Sequence, residues 1–288
     1  MSNQITTAFV QQYSSNVQML SQQMGSVLRG VVDVESVTGK SAFFDQVGKT
    51  TAVVRSSRHA DTPQIDTPHS RRRVTLADYE WADLIDNADK VRLLIDPTSS
   101  YAKAAASAMG RAMDDVIIAA LGGTSFTGET GSTSVVLPAA QKPFSTSQTD
   151  GLTIAKLLSA KKILDLADVD PSIQRYLVCG PTQIGDLLGT TAVTSADFNT
   201  VKALVQGEID SFMGFKFHVS NRLTTNGAGN TQCIAFAEDG LLLGIGKDVT
   251  ARIDERSDKS YATQVYYCQT IGATRMEEEK VVQIACDE

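Results

Sequence analysis

Apolar and polar positions repeat with two different periods along this chain of 288 residues, and the changes of period divide it into blocks. In residues 1–35, Phe9, Tyr13, Val17, Leu20, Met24, Val27 and Leu28 recur at three- and four-residue steps. That spacing predicts an amphipathic terminal helix, weakened by the Thr, Ser and Asn around it. Its single apolar stripe would pack on its own domain or on another subunit. Residues 36–95 read as strands and long connections. SAFFDQVG and TAVVRSSR predict two strands about a Gly48-Lys49 turn. HADTPQIDTPHSRRR follows, with two prolines, two histidines and almost no apolar residues, and predicts an extended excursion over a surface.

The clearest local signal lies at 96–123. Asp96-Pro97-Thr98 reads as a helix start and Gly122-Gly123 as a stop. Between them Tyr101, Ala105, Ala108, Met109, Ala112, Met113, Val116, Ile117 and Ala120 form one apolar face, and Lys103, Ser107, Arg111 and Asp114 fall on the other. About 24 residues give a rod of roughly 36 Å. Residues 124–151, rich in Gly, Ser, Thr and Pro, predict a loop between lobes. Residues 152–168 predict a second helix, with Ile154, Leu157, Leu158, Leu164 and Ala167 inward. RYLVCG at 175–180 is a buried-strand pattern, and PTQIGDLLG a helix with Pro at its start and Gly at its end. Helix, strand and helix in succession mark an α/β layer. SFMGFKFHVSNRL at 211–223 alternates as a strand. After residue 234, GLLLGIG, VTARIDE, ATQVYYCQTIGATRM and KVVQIACDE predict long antiparallel strands, with Glu277, Glu278 and Glu279 near an exposed turn. No internal repeat is evident. The fold class is α+β.

Composition narrows the function. Hydrophobic residues make up 42% and charged residues 20%, enough for a large core. A net charge of −7 argues against general duplex binding, which needs a basic footprint. Cys179, Cys233, Cys268 and Cys286 form no CxxC pair and match no zinc spacing, so they read as free, buried thiols of a reducing compartment. No apolar run reaches the ~20 residues of a membrane span, and no signal peptide is apparent, so a cytosolic product is expected. Catalytic motifs are missing. GLLLGIGKD fails as a phosphate-binding loop because its first Gly is misplaced and Asp248 follows Lys247. No GxGxxG, HExxH or GxSxG occurs. His59 and His69 lie on the polar excursion and His218 in a strand pattern, and all three read as structural. No catalytic residue, metal or cofactor is expected.

The order of the blocks, together with RHADTPQIDTPHSRRRVTLADYEWADLIDNADK, DPTSSYAKAAASAMGRAMDDVIIAALGG, FNTVKALVQGEIDSFMGFKFHVSNRL and DKSYATQVYYCQTIGATRMEEEKVVQIACDE, resembles the major capsid proteins of tailed bacteriophages, the podophage group in particular. The resemblance covers nearly the whole chain. It implies an N-terminal arm at 1–35 and an E-loop with flanking P-domain strands at 36–95. It further implies a P-domain at 96–151 with its spine helix at 98–121, and an A-domain at 152–235. P-domain strands at 236–288 complete the fold, the last one free to return to the A-domain. It implies self-assembly as hexamers and pentamers into an icosahedral shell around double-stranded DNA, without sequence-specific binding. A portal and a separate scaffold protein would be partners, since the chain reaches its folded pattern soon after Met1, and a decoration protein is left open. Assembly would occur in the host cytoplasm. An encapsulin-type compartment subunit shares the fold and is the nearest alternative. A hydrolase on an unfamiliar α+β fold is an alternative of another class.

Charge suggests how copies would dock. Residues 51–75 hold Arg55, Arg58, Arg71, Arg72 and Arg73 against two aspartates, a net of +3. Residues 275–288 carry a net of −3. The expectation is that these arginines meet acidic surface on a neighbouring copy, with Asp114, Asp115, Glu277, Glu278 and Glu279 as candidates. The loop and arm would re-dock if a precursor shell expands.

Overall fold

The computed structural model describes residues 21–59, 61–86, 98–144, 150–189 and 211–287. In chain order the strands and helices are β1 (Asp33–Ser36), β2 (Ser41–Val47), β3 (His69–Thr75), β4 (Ala77–Ile85), α1 (Thr98–Gly122), β5 (Ser125–Thr127), β6 (Thr133–Val135) and α2 (Ile154–Leu166). They continue with β7 (Arg175–Cys179), α3 (Pro181–Gly189), β8 (Ser211–Phe212), β9 (Phe215–Val219), β10 (Thr231–Ala237), β11 (Leu241–Arg256), β12 (Ala262–Arg275) and β13 (Val281–Cys286). The chain divides into two compact units. One draws on Met1–Ser26, Asp78–Ala112 and Lys247–Gln269, the other on Val27–Ala77, Met113–Gly246 and Thr270–Glu288.

The second unit holds a five-stranded sheet ordered β13-β10-β7-β9-β8. β7 runs parallel to β9 and antiparallel to β10, and β13 closes the edge antiparallel to β10. Every residue of β7 and β10 is buried, as expected for strands covered on both faces. On one face Leu177, Cys179, Phe215, Phe217, Cys233, Ala235, Val282 and Ile284 form a core with Leu157, Ala160 and Leu164 of α2 and Leu187 of α3. The Thr153 hydroxyl accepts from the Lys156 amide and starts α2. Leu158 departs from the expected inward set and lies exposed, because the buried stripe runs through 157, 160 and 164. The pattern at 211–223 is two strands rather than one. Met213 and Gly214 both take positive φ, 55° and 88°, and make the two-residue hairpin that joins β8 to β9.

The same unit contains a second sheet, ordered β2-β3-β5-β6. The expected strand at 51–58 is absent; β2 pairs instead with β3, from Ser41 opposite Thr75 to Val47 opposite His69. The expected loop at 124–151 is not all loop. β5 and β6 form a hairpin that extends this sheet through Arg72 opposite Thr127. A parallel pair, β1 with residues 242–245 of β11, also belongs to this unit. Gly272 lets the chain pass closely here, since a Cβ on it would stand 2.2 Å from the Thr75 carbonyl oxygen.

In the first unit β4 lies beside β12, with its residues alternating between exposed and half-buried. The side-chain amide of Gln269 donates to the Met109 carbonyl of α1. A Cβ on Gly110 would meet the Gly25 backbone at 2.3 Å, so glycine permits this crossing. GLLLGIG and VTARIDE, expected as two strands, are one, β11. Helix α1 ends at Gly122, as its glycines predict. Its polar face is not wholly solvated, however: Ser107 and Asp114 are buried, whereas Tyr101 is exposed. The Asp96-Pro97 start and residues 1–20 of the predicted arm helix lie outside the described residues. Met24, Val27 and Leu28 are described and are not helical, although Leu28 is buried.

Candidate subunit-contact surface

Residues 48–68 connect β2 to β3; the described ones, 48–59 and 61–68, form no helix or strand, and every one of them is exposed. The Gly48 amide donates to the Pro68 carbonyl at 2.8 Å and closes the base of this loop. Beyond that bond Val53, Val54 and Ile65 stand in solvent, Val54 at 90% exposure. Arg55 and Arg58 share the loop, and the Arg55 Nε donates to the Ser57 carbonyl. Apolar side chains held out on a cationic loop are a surface that gains by being covered.

The three consecutive arginines of β3 divide by strand alternation. Arg71 and Arg73 point to one side. Arg71 reaches Asp45, directly across the ladder, at 2.7 Å and lies over the Phe43 ring at 5.5 Å. This carboxylate raises the Arg71 pKa, and the guanidinium lowers that of Asp45. Arg73 lies 4.9 Å from the centre of the Phe126 ring. Arg72 points to the other side. Its side chain is 9% exposed, and it donates to Glu278 at 2.6 Å and to the Met276 carbonyl at 2.8 Å.

Glu278 also faces Arg275, the largest fully buried side chain among the described residues, at 3.7 Å. Arg275 donates to the carbonyls of Leu121 and Gly123 at the end of α1 and of Val135 in β6. A cation there meets the negative end of the helix dipole. Burial lowers its pKa, and the Glu278 charge opposes that shift. Two guanidiniums and one carboxylate thus tie β3, the end of β12 and the end of α1 together below the loop. The flanking glutamates serve elsewhere: Glu277 pairs with Lys280 at 3.0 Å and Glu279 with Lys49 at 3.2 Å.

The two aspartates of α1 differ although they are adjacent. Asp114 is 0% exposed and accepts from the Val27 and Leu28 amides, both at 3.1 Å. Asp115 forms a two-pronged ion pair with Arg222. Of the ten charged residues expected at a subunit contact, then, Arg71, Arg72, Asp114, Asp115 and the three glutamates are held by ion pairs or backbone amides of their own chain, Arg55 bonds only its own loop at Ser57, and Arg73 lies over the Phe126 ring. Strand alternation in RRR could have separated Arg72 from Arg71 and Arg73. No local signal foretold that Glu278 and Asp114 are turned inward, because their partners lie far away in sequence.

A further acidic group sits beside β1. Burial raises the Asp33 pKa, with added repulsion from Asp239, Glu238 and Glu35, partly relieved by Lys280. The stability this group contributes is therefore full below its ordinary pKa and is lost as pH rises through the raised folded value. Asp33→Asn is expected to raise the urea midpoint near neutral pH. The gain should shrink as pH falls toward ~4. A gain that is constant with pH would refute the charge explanation.

The sequence matches the family described as phage capsid protein over residues 5–288. The chain belongs to that family. No curated protein matches it significantly. Among solved structures, the fold of this capsid protein is similar to the capsid of Ralstonia phage GP4, with a TM-score of 0.75 at 13% identity over 97% of this chain and 95% of that one. It is also similar to a chain of Mycobacterium phage Che8, with 0.74 at 17% identity over 96% and 97%. The Cyanophage Pam1 capsid gives 0.71 at 16% identity over 98% and 97%. At these identities the structures establish the tailed-phage capsid fold, and the family match establishes a structural shell protein of the virion. Neither an encapsulin-type compartment nor a hydrolase is favoured.

Proposed function

We propose that this capsid protein assembles as hexamers and pentamers into an icosahedral head enclosing double-stranded DNA, and that it performs no catalytic step. The observation that carries the reading is the loop at 48–68, closed at its base and exposed along its described length. In this reading it is the E-loop laid over an adjacent subunit. Residues 1–35 are the arm, 98–121 the spine of the P-domain, 152–235 mostly the A-domain, and 236–288 the closing strands. Assembly takes place in the host cytoplasm with a separate scaffold protein and a portal.

Burial and intrachain pairing narrow the contact to the loop's own side chains. Arg55 and Arg58 dock on acidic surface of the neighbour, with Val53, Val54 and Ile65 covered between them. Arg71 and Arg73 stand at the rim, while Arg72 and Glu278 hold the loop's base. Each exposed ion pair contributes only ~0–1 kcal/mol. Repetition around a closed shell multiplies that small term together with the apolar area.

Arg55→Glu with Arg58→Glu is expected to abolish uniform particles in negative-stain micrographs at ~0.15 M salt, where the Debye length is about 8 Å. The subunit's circular dichroism and melting curve should stay unchanged. Normal particle yield at both low and high salt would remove the docking role. A stable small monomer from the unaltered chain, co-expressed with its scaffold, would count against the shell reading itself.

A further inference from the structure

A cleft of about 510 Å³ opens on the second unit where the end of α2, the segment 171–175 and the β8–β9 hairpin meet. Three cations line it: Lys161 of α2, Arg175 at the start of β7 and Lys216 of β9. Asp165 is the one carboxylate in the lining. Three positive charges against one negative leave a net of +2, in a chain whose own net charge is −7. None of these residues belongs to the loop at 48–68.

The three cations are held differently. The Arg175 side chain is 7% exposed and donates to the Asp165 carboxylate at 2.6 Å and to the Val169 carbonyl at 3.1 Å. Those bonds fix the guanidinium in the wall and engage the one opposing charge. The Arg175 Nε is buried and has no acceptor. Lys161 and Lys216 have no hydrogen bond or ion pair among the described residues. Lys216 stands opposite Ser211 in the β8–β9 ladder, which places a hydroxyl side chain on its face of the hairpin. Ile173 and Met213 line the cleft and pack against the core, which gives the cations a firm base.

We propose that this cleft binds a phosphate group, as the free ion or on a small monoester, with Lys161 and Lys216 as its donors and Arg175 as a fixed positive wall. A cleft lined by one sign of charge concentrates ions of the other sign. Phosphate carries close to two negative charges above pH ~6 and offers several acceptor oxygens, which matches an excess of two positive charges with free ammonium donors. The cleft lies within the roughly 300–1,000 Å³ of small-ligand pockets, so it admits a monoester as well as the bare ion.

The test is equilibrium dialysis of the purified full chain against radiolabelled inorganic phosphate near pH ~7.5, with ionic strength held constant by sodium chloride. One saturable site per chain is expected. Lys161→Gln and Lys216→Gln should each weaken it about tenfold, and the double variant should show no saturation. Both lysines lack partners in the chain, so these variants should keep the circular dichroism and melting curve measured without phosphate. Lys162→Gln is the control: Lys162 is exposed on α2 but does not line the cleft, and its loss should leave binding unchanged. Displacement of the label by deoxyadenosine monophosphate at least as strong as by phosphate assigns the site to an ester, and weaker displacement assigns it to the free ion. The binding is read on the subunit itself, so failure of the shell reading would leave it standing. Uptake by the unaltered chain that rises linearly without saturation, or equal weakening by Lys162→Gln, overturns the proposal.

Discussion

Glu278→Ala is expected to destabilise the subunit by about 3–5 kcal/mol, the usual cost of removing one partner from a buried charge cluster. The reason is the imbalance the change would create. Glu278, 17% exposed, is the carboxylate that faces both Arg72 and Arg275, and the Arg72 Nη1 already has no hydrogen-bond acceptor. Without Glu278 two guanidiniums would face each other across a space with little solvent. Arg275 would keep its three carbonyls at the end of α1 and in β6, so the loss should fall mainly on the anchoring of β3. Urea denaturation of the purified subunit measures the total. Hydrogen exchange should show protection lost first in β2 and β3, at the loop's base. Glu278→Gln should lie between wild type and alanine, because it keeps an acceptor and loses the charge. Joining Arg72→Met to Glu278→Ala should recover part of the loss, since it removes one of the two opposed cations. Equal stability of Glu278→Ala and wild type would show that the cluster contributes nothing to the fold.

The second large effect is expected at Asp114. Its carboxylate accepts the Val27 and Leu28 amides at 3.1 Å each and is shut off from solvent. Asp114→Ala would strand two backbone donors, and Leu28 is itself fully buried. Bonds to a charged acceptor contribute about 1.5–3 kcal/mol each, so a loss of about 3 kcal/mol or more is expected. Asp114→Asn should lose about half of that, since its amide oxygen can accept one donor while its NH2 opposes the other. The adjacent Asp115 is the control. Its pair with Arg222 leaves its side chain 46% exposed, and Asp115→Ala should cost no more than ~1 kcal/mol. If the two alanine variants melt alike, the capping role assigned to Asp114 fails.

These two carboxylates show where reading the sequence stops. Asp114 falls on the polar side of the α1 helical wheel, and the sequence correctly gives the helix's glycine end and its buried Met109, Met113 and Ile117. It does not say that residues 27 and 28 arrive to use that polar side. Glu278 sits in a run of three glutamates that reads as a solvated turn, yet the turn brings it beneath β3.

The sequence by itself determined the long helix with its glycine stop, the buried β7 strand, the two helices beside it and the exposed polar excursion as far as Pro68, beyond which its arginines enter β3. All of these follow from periodicity, capping and composition, which act over a few residues. The order of those blocks was enough to mark the resemblance to tailed-phage head proteins. Only the tertiary structure decided that β2 pairs with β3 across the loop, that β5 and β6 extend their sheet, and that β13 returns to β10. It alone decided which charges are consumed inside the chain and which cysteines share a sheet face. Strand pairing and ion pairing depend on partners many residues away, and their stability comes from register and burial. Neither is encoded in the local alternation of apolar and polar side chains.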